Sequence, residues 1–251
     1  MSKAQVTTKK ENALATNVFE ADANKGIGNL TQEDLALPFL KILGQLSPEV
    51  NKRDGKYVEG AEPGKILNSV TNQLYDSIKV VPVFYKKQYL EWQDRGTGTG
   101  APVAVHDADS DIISQTTRDK NMKDRLSNGN YLETTANHFV LVLGDTPSTG
   151  LISMKSTQLN VSRKWNSMMM GIRMQGKNGL FTPPTYSHIY NLKTVQMSND
   201  KGTWFGWEVT KEGPVTDKGV YEMAKEFSQR LGKGEIQAKH GNGEADSKQP
   251  Y

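Results

Sequence analysis

The run Ile78-Lys-Val-Val-Pro-Val-Phe-Tyr-Lys-Lys-Gln-Tyr-Leu-Glu-Trp92 is the densest concentration of β-branched and aromatic residues in the chain. Such residues suit a pleated, half-buried surface, so the segment predicts a long strand. Pro82 has no N–H to give to a ladder, which implies an edge position or a bulge. Working outward, His138 to Leu143 and Gly150 to Lys155 read as two further strands. The turn-rich Gly144-Asp-Thr-Pro-Ser-Thr149 between them makes a hairpin. The apolar period then lengthens from two to about 3.6: Val161, Trp165, Met168, Met169 and Ile172 fall on one stripe of a helix over Thr157 to Met174. Ser156 is the expected N-cap and Gly176 the expected stop.

After Asn178-Gly179 and Pro183-Pro184, strands are expected over Tyr186 to Met197 and Thr203 to Thr210, joined by Ser198 to Gly202. A last amphipathic helix, Asp217 to Leu231, places Val220, Met223, Ala224, Phe227 and Leu231 on one face. Upstream, Leu35 to Leu43 reads as an edge segment or short helix, and Lys65 to Val70 as a short extended piece among turns. Gln93 to Asn137, rich in Gly, Thr, Asp and Asn, reads as one long loop.

These elements predict a mainly β fold with few helices: an OB-like five-stranded barrel, a helix between its third and fourth strands, and a C-terminal helix. The loops Gln93 to Asn137 and Ser198 to Gly202 would flank its binding face. Residues 1–33 and 234–251 lack the apolar content that offsets ordering entropy and are expected to be disordered tails around a single domain, 34–233.

The absence of cysteine excludes a disulfide framework, a thiol nucleophile and a thiolate zinc site. No segment approaches the ~18 apolar residues of a membrane span, and the N-terminus has no hydrophobic signal region, so a cytoplasmic protein is expected. The formal net charge is only +3, but it is unevenly spread. From Leu151 to Thr210 seven cations (Lys155, Arg163, Lys164, Arg173, Lys177, Lys193, Lys201) face two anions, Asp200 and Glu208. A basic stretch interleaved with aromatic residues is the electrostatic footprint of a nucleic-acid binder.

Candidate contacts follow from strand parity. Tyr85, Lys87 and Tyr89 share one face of the first strand, and Lys86 and Trp92 the other, with Arg95 just beyond. Rings there can stack bases while lysines neutralise phosphates. Tyr186, His188 and Tyr190 form a second aromatic row. With Phe205, Trp207 and Val209 assigned to the core, Trp204 is expected to turn outward beside Lys201. Lys155, Arg163, Lys164 and Lys193 complete the expected nucleic-acid contacts. Trp165 and Met168 to Met170 follow helical spacing and read as core.

Enzymatic signals are weak. Gly96-Thr-Gly-Thr-Gly100 lacks the lysine of a phosphate-binding loop and its strand–turn–helix context. Asp107, Asp109 and Asp111 alternate as at the start of a calcium loop, but the sixth position is Ile112 and the twelfth Arg118. No catalytic residue, metal ligand or cofactor is assigned.

Leu37-Pro-Phe-Leu-Lys-Ile-Leu43, Ser47-Pro-Glu49, Tyr57-Val-Glu-Gly-Ala-Glu-Pro-Gly64, Asn68-Ser-Val-Thr71 and Val80-Val-Pro-Val-Phe-Tyr85 through Glu91-Trp92 resemble a family of tailed-bacteriophage single-stranded-DNA-binding proteins. The resemblance covers residues 35–95 well and transfers no site residues. It implies an OB-fold that binds single-stranded DNA without sequence preference in replication and recombination, with replication or recombination proteins as further partners. Members of that kind often end in a strongly acidic tail that recruits partners, whereas here residues 234–251 mix three anions (Glu235, Glu244, Asp246) with two lysines (Lys239, Lys248). Two rival readings remain from the residues: a phage structural or assembly protein with a β-barrel interaction domain, and a metal-dependent nucleic-acid enzyme using Asp107, Asp109 and Asp111.

Overall fold

In the computed structural model the described residues are 16–23, 25, 26, 28, 36–94, 96, 100–200, 202–236 and 238. The chain divides into two units, Met1–Leu35 and Ala36–Tyr251. The first contains a six-residue helix, α1 (Thr16–Ala21), inside the stretch expected to be a disordered tail. Most of the rest of that tail, and most of the C-terminal one, lie outside the described residues.

The second unit is mainly β. A small antiparallel sheet comes first: β1 (Leu40–Ile42), β2 (Ile66–Asn68) and β3 (Leu74–Tyr75). Then follow β4 (Ser77–Trp92), β5 (Ala104–Asp107), β6 (Thr117–Arg118), β7 (Asp124–Arg125), β8 (Tyr131–Leu143) and β9 (Ser148–Lys155). Helix α2 (Leu159–Met170) leads to a hairpin of β10 (Met174–Gly176) and β11 (Gly179–Phe181). Then come β12 (His188–Asn199), β13 (Gly202–Pro214) and α3 (Lys218–Gly232). The five long strands form a curled antiparallel half-barrel in the order β13-β12-β4-β8-β9, with β5 on the far half of β4 and β7 and β6 beyond β8.

Pro82 is accommodated by a bulge. The register of β4 with β8 shifts between Pro82 and Phe84, so even-numbered residues face one side before it and odd-numbered residues face that side after it. Before the bulge, Ile78 and Val80 join Val140, Ile152, Tyr190, Leu192 and Trp207 in a core closed by Trp165 of α2. On the other side Val81 and Val83 join Phe139, Leu141 and Leu151 beneath Ala224, Phe227 and Leu231 of α3. Both faces of the sheet are therefore covered.

The small sheet lies between the two outer long strands. The amide of Leu151 donates to the Pro38 carbonyl (2.8 Å), and Phe39 bridges Leu151 in parallel. A side chain at Gly150 would stand 2.9 Å from Leu40, so only glycine allows β1 this close to β9. From the other side, Thr194 of β12 donates to the Gly64 carbonyl.

Three sequence expectations are revised. The "loop" Gln93 to Asn137 contains β5, a short 3-10 helix (Asp111–Gln115), β6, β7 and the first half of β8. Its order comes from polar bonds rather than apolar periodicity. Asp119 accepts from the Asn121 and Lys123 amides, and Arg125 bridges Asp94 (3.0 Å) and Asp119 (2.7 Å). The central helix begins after a 3-10 turn (Ser156–Gln158), in which Ser156 has φ +49° and caps nothing. It stops at Met170 rather than Met174, where Arg173 donates to the Met170 carbonyl (2.7 Å). The C-terminal helix matches expectation, with Asp217 as its N-cap accepting from the Val220 amide (3.0 Å).

Burial makes the core pH-sensitive. His138 lies fully inside, its Nε2 2.8 Å from Ser162 Oγ and its ring stacked on Trp165 at 4.4 Å. Burial depresses its pKa from 6.5 to about 3. Between these values the unfolded chain holds a proton on His138 that the folded chain does not, so stability falls as pH drops through 6.5 toward 3. The expected outcome is a decline of up to about tenfold in the folding constant per pH unit in that window, attributable to this group. Thermal melts from pH 7 to pH 4 on His138→Asn should show a shallower decline than the parent. Equal slopes would mean that another group carries the effect.

Candidate nucleic-acid interface

From Thr146 to Asn199 the sequence contains no carboxylate side chain and six cations: Lys155, Arg163, Lys164, Arg173, Lys177 and Lys193. This acid-free run forms most of β9, α2, the β10–β11 hairpin and β12. Its centre is α2, which is anchored at two points. Trp165 inserts between His138 and Tyr190, with ring centroids 4.4 and 5.8 Å away. Gln158, at the helix entrance, accepts the Trp207 amide of β13 at 2.8 Å. That bond satisfies an N–H on the edge strand, which would otherwise invite another chain. Gly206 makes it possible, because a Cβ there would meet Gln158 Nε2 at 2.7 Å and Met197 Sδ at 2.6 Å.

Held this way, α2 leaves a groove of about 540 Å³ between itself and β13. Val161, Met168, Trp207 and Val209 supply apolar lining, and Arg163, Lys164, Ser167 and Glu208 the polar lining. Arg163 and Lys164 are exposed and take part in no ion pair among the described residues; Arg163 donates to the side chain of Asn160 at 2.8 Å. Glu208 pairs with Lys193 across the β12–β13 ladder at 2.9 Å. Two of the expected contacts, Arg163 and Lys164, thus line one groove, whereas Lys193, next to the core residue Leu192 on β12, turns to the opposite face of the sheet.

Tyr85 is also well placed. It is exposed, and its ring lies 5.1 Å from His138. A row of rings runs inward from it through His138 and Trp165 to Tyr190. Lys87 follows on the same face, its Nζ 5.0 Å from the Tyr89 ring.

Other expected contacts are corrected. Tyr190 is fully buried in the core, and burial raises its pKa to about 12. Tyr89, Trp92 and Trp204 are buried, so none presents a ring to solvent. Trp204 was expected to point outward on parity alone; Trp204, Gly206 and Trp207 are all buried, a pattern that strict alternation does not give. Tyr186 is half-buried against Tyr221 of α3 at 5.3 Å, on the opposite side of the sheet from α2. Lys86 is paired with Asp107 (2.8 Å), and Lys155 with Glu133 (3.0 Å) while also lying over the Trp92 ring. Arg95 and Lys201 lie outside the described residues.

The Asp107 to Asp111 run does not gather. Lys86 and Gln88 hold Asp107, with the Lys86 contact chiefly lowering its pKa. Ser110 caps the 3-10 turn that follows.

Sequence reading missed a buried carboxylate. Glu91 accepts from Asn130 (2.6 Å) and Asn128 (3.2 Å), and its other oxygen lies 2.9 Å from His106 Nε2. The Asn130 bond is the main reason its pKa lies below the ordinary carboxylate value. The partners sit 15 to 39 residues away in sequence, so no local motif announces them. All three tie β5 and the turn before β8 to β4.

By its architecture and this surface, the chain is a half-barrel β protein with a basic, apolar-floored groove between a helix and its edge strand. It belongs to the Pam3 phage gp34-like protein family, a bacteriophage family whose model matches residues 8–237. Comparisons with curated proteins and with solved structures returned no match. Among the described residues no helix is long and apolar enough to cross a membrane.

Replacing Gln158 by Ala removes the acceptor of a buried amide and loosens α2 from β13. A loss of about 1–3 kcal/mol is expected in urea unfolding. An unchanged midpoint would mean that the Trp207 amide finds another acceptor.

Proposed function

We propose that this is a bacteriophage single-stranded-DNA-binding protein, acting in DNA replication or recombination in the host cytoplasm and engaging the strand across the outer side of α2. The observation that carries this reading is the acid-free run from Thr146 to Asn199, whose exposed Arg163 and Lys164, which form no ion pair among the described residues, line the apolar-floored groove. Phosphates would meet Arg163 and Lys164, with Lys87 on the same side of the sheet. Bases would stack on exposed rings: Tyr85, and Phe181 in the hairpin that follows α2. The fold supports the proposal. Counting only the five long strands, the sheet runs 5-4-1-2-3 with a helix between the third and fourth, the element order of an OB-like barrel.

A second reading has its own observation. Met170, Met174, Leu180 and Phe181 expose apolar surface on and beside the β10–β11 hairpin, as an assembly protein that docks onto other subunits would. That reading predicts stable oligomers and no affinity for DNA.

Titration of labelled oligonucleotides over a salt series separates the two. Binding at low salt should weaken linearly in log–log form, and Arg163→Ala or Lys164→Ala should each reduce the slope by about 0.7. Tyr85→Ala should cost about 1–3 kcal/mol with the slope unchanged. No binding at low salt, or an affinity indifferent to salt, rejects the proposal. Stable oligomers in sedimentation would then favour the assembly reading.

A further inference from the structure

Two tight loops follow one another in the polar segment before β8, and they share one hydrogen-bond pattern. In Asp119 to Lys123, which joins β6 to β7, the Asp119 amide donates to the Lys123 carbonyl (2.9 Å) and the Met122 amide to the Asp119 carbonyl (3.0 Å). In Leu126 to Asn130, which joins β7 to β8, the Leu126 amide donates to the Asn130 carbonyl (2.9 Å) and the Gly129 amide to the Leu126 carbonyl (3.0 Å). The fourth residue of each loop is left-handed: Met122 at φ +62° and Gly129 at φ +90°. Glycine takes that conformation freely, whereas a side chain there crowds its own backbone. One loop has the residue the geometry favours, and the other has a methionine in its place.

The methionine returns nothing to the core. Met122 is 67% exposed and joins none of the apolar clusters. The loop beneath it is stiff, because Asp119 accepts from the Asn121 and Lys123 amides (2.8 and 2.9 Å) and from Arg125 (2.7 Å). Arg118 donates to the Met122 carbonyl at 3.3 Å. The Asp119 carboxylate is thus turned inward, while Arg118 and Lys120 are exposed, Lys120 in no ion pair among the described residues. A single apolar side chain stands on a rigid tip beside two cations. Strain kept without a structural return points to a binding role.

The chemistry of the tip selects its partner. One methionine is far too small for a protein interface, which needs about 800 Å² from each side. The cations suit a polyanion. Entry into an intact base stack would cost unstacking, but the last base pair of a duplex already shows a flat apolar face, which a polarizable thioether can cover.

We propose that Met122 caps the terminal base pair where a bound single strand meets duplex DNA, with Arg118 and Lys120 on the flanking phosphates. The inference rests on the single-stranded-DNA reading and adds recognition of the junction to it. Sheet order supports the placement: β13, beside the α2 groove, is at one border and β6 at the other. A strand crossing the sheet from the groove leaves it at this hairpin.

The test uses the full chain and two labelled probes, a single-stranded oligonucleotide and the same single strand continued at one end into a duplex. Both are titrated by fluorescence anisotropy at low salt with the parent, Met122→Gly and Met122→Asn. Either replacement tolerates the left-handed backbone and leaves every charge in place. The parent should bind the tailed duplex at least about fivefold tighter than the single strand, and each variant should bring the ratio below about twofold. Affinity for the single strand should not change, and the urea midpoint of Met122→Gly should equal or exceed the parent's. No preference for the tailed duplex in the parent overturns the cap and leaves the strand-binding reading standing. A preference that survives both variants also overturns it, as does a lower midpoint for Met122→Gly, which would give the methionine a structural role. Failure of both probes to bind removes the reading on which the cap rests.

Discussion

Pro82 has no amide proton, yet it sits in the strand that every other long element depends on. β4 pairs with β8 along almost its whole length, with β12 over its first part and with β5 over its last. A proline in such a position breaks a ladder bond unless the strand bulges around it. The bulge resolves that conflict and exchanges the two faces of the strand. Ile78 and Val80 can therefore pack beneath α2, while Tyr85, two residues past the bulge, turns toward the same side and reaches the surface. Without that exchange Phe84 would take the place of Tyr85 beside His138.

The position of α2 follows from what lies beneath it. A tryptophan stacked on a neutral, buried histidine is a strong anchor only while the histidine stays uncharged, and Ser162 from the same helix hydrogen-bonds that ring. The second tether, Gln158 on the edge amide of β13, sets the spacing between helix and strand. The groove is what remains between the two tethers. Its basic character results from the absence of acidic residues across a long stretch of sequence.

The long strands and both helices of the body were legible because their apolar residues recur at the period of the element. The segment from Gln93 to Tyr131 was not legible. Its strands are two to four residues long, exposed or half-buried, and ordered by the local bonds of Asp119 and by Arg125 and Glu91 binding partners far away in sequence. The stop of α2 was misplaced because Gly171 and the return of Arg173 onto the last carbonyls leave no trace in periodicity.

The site divides in the same way. Composition identified the basic stretch that carries Arg163 and Lys164, because charge distribution is a property of the sequence itself. Whether a ring is open to a base depends on burial, and only the tertiary structure decides that. Tyr190 and Trp204 look like Tyr85 in the sequence, but both are buried, Tyr190 against Trp165 of α2. Tyr89 and Trp92 are hidden as well. Alternation along a strand specifies which side a residue takes, and the layer packed above that side determines whether water reaches it.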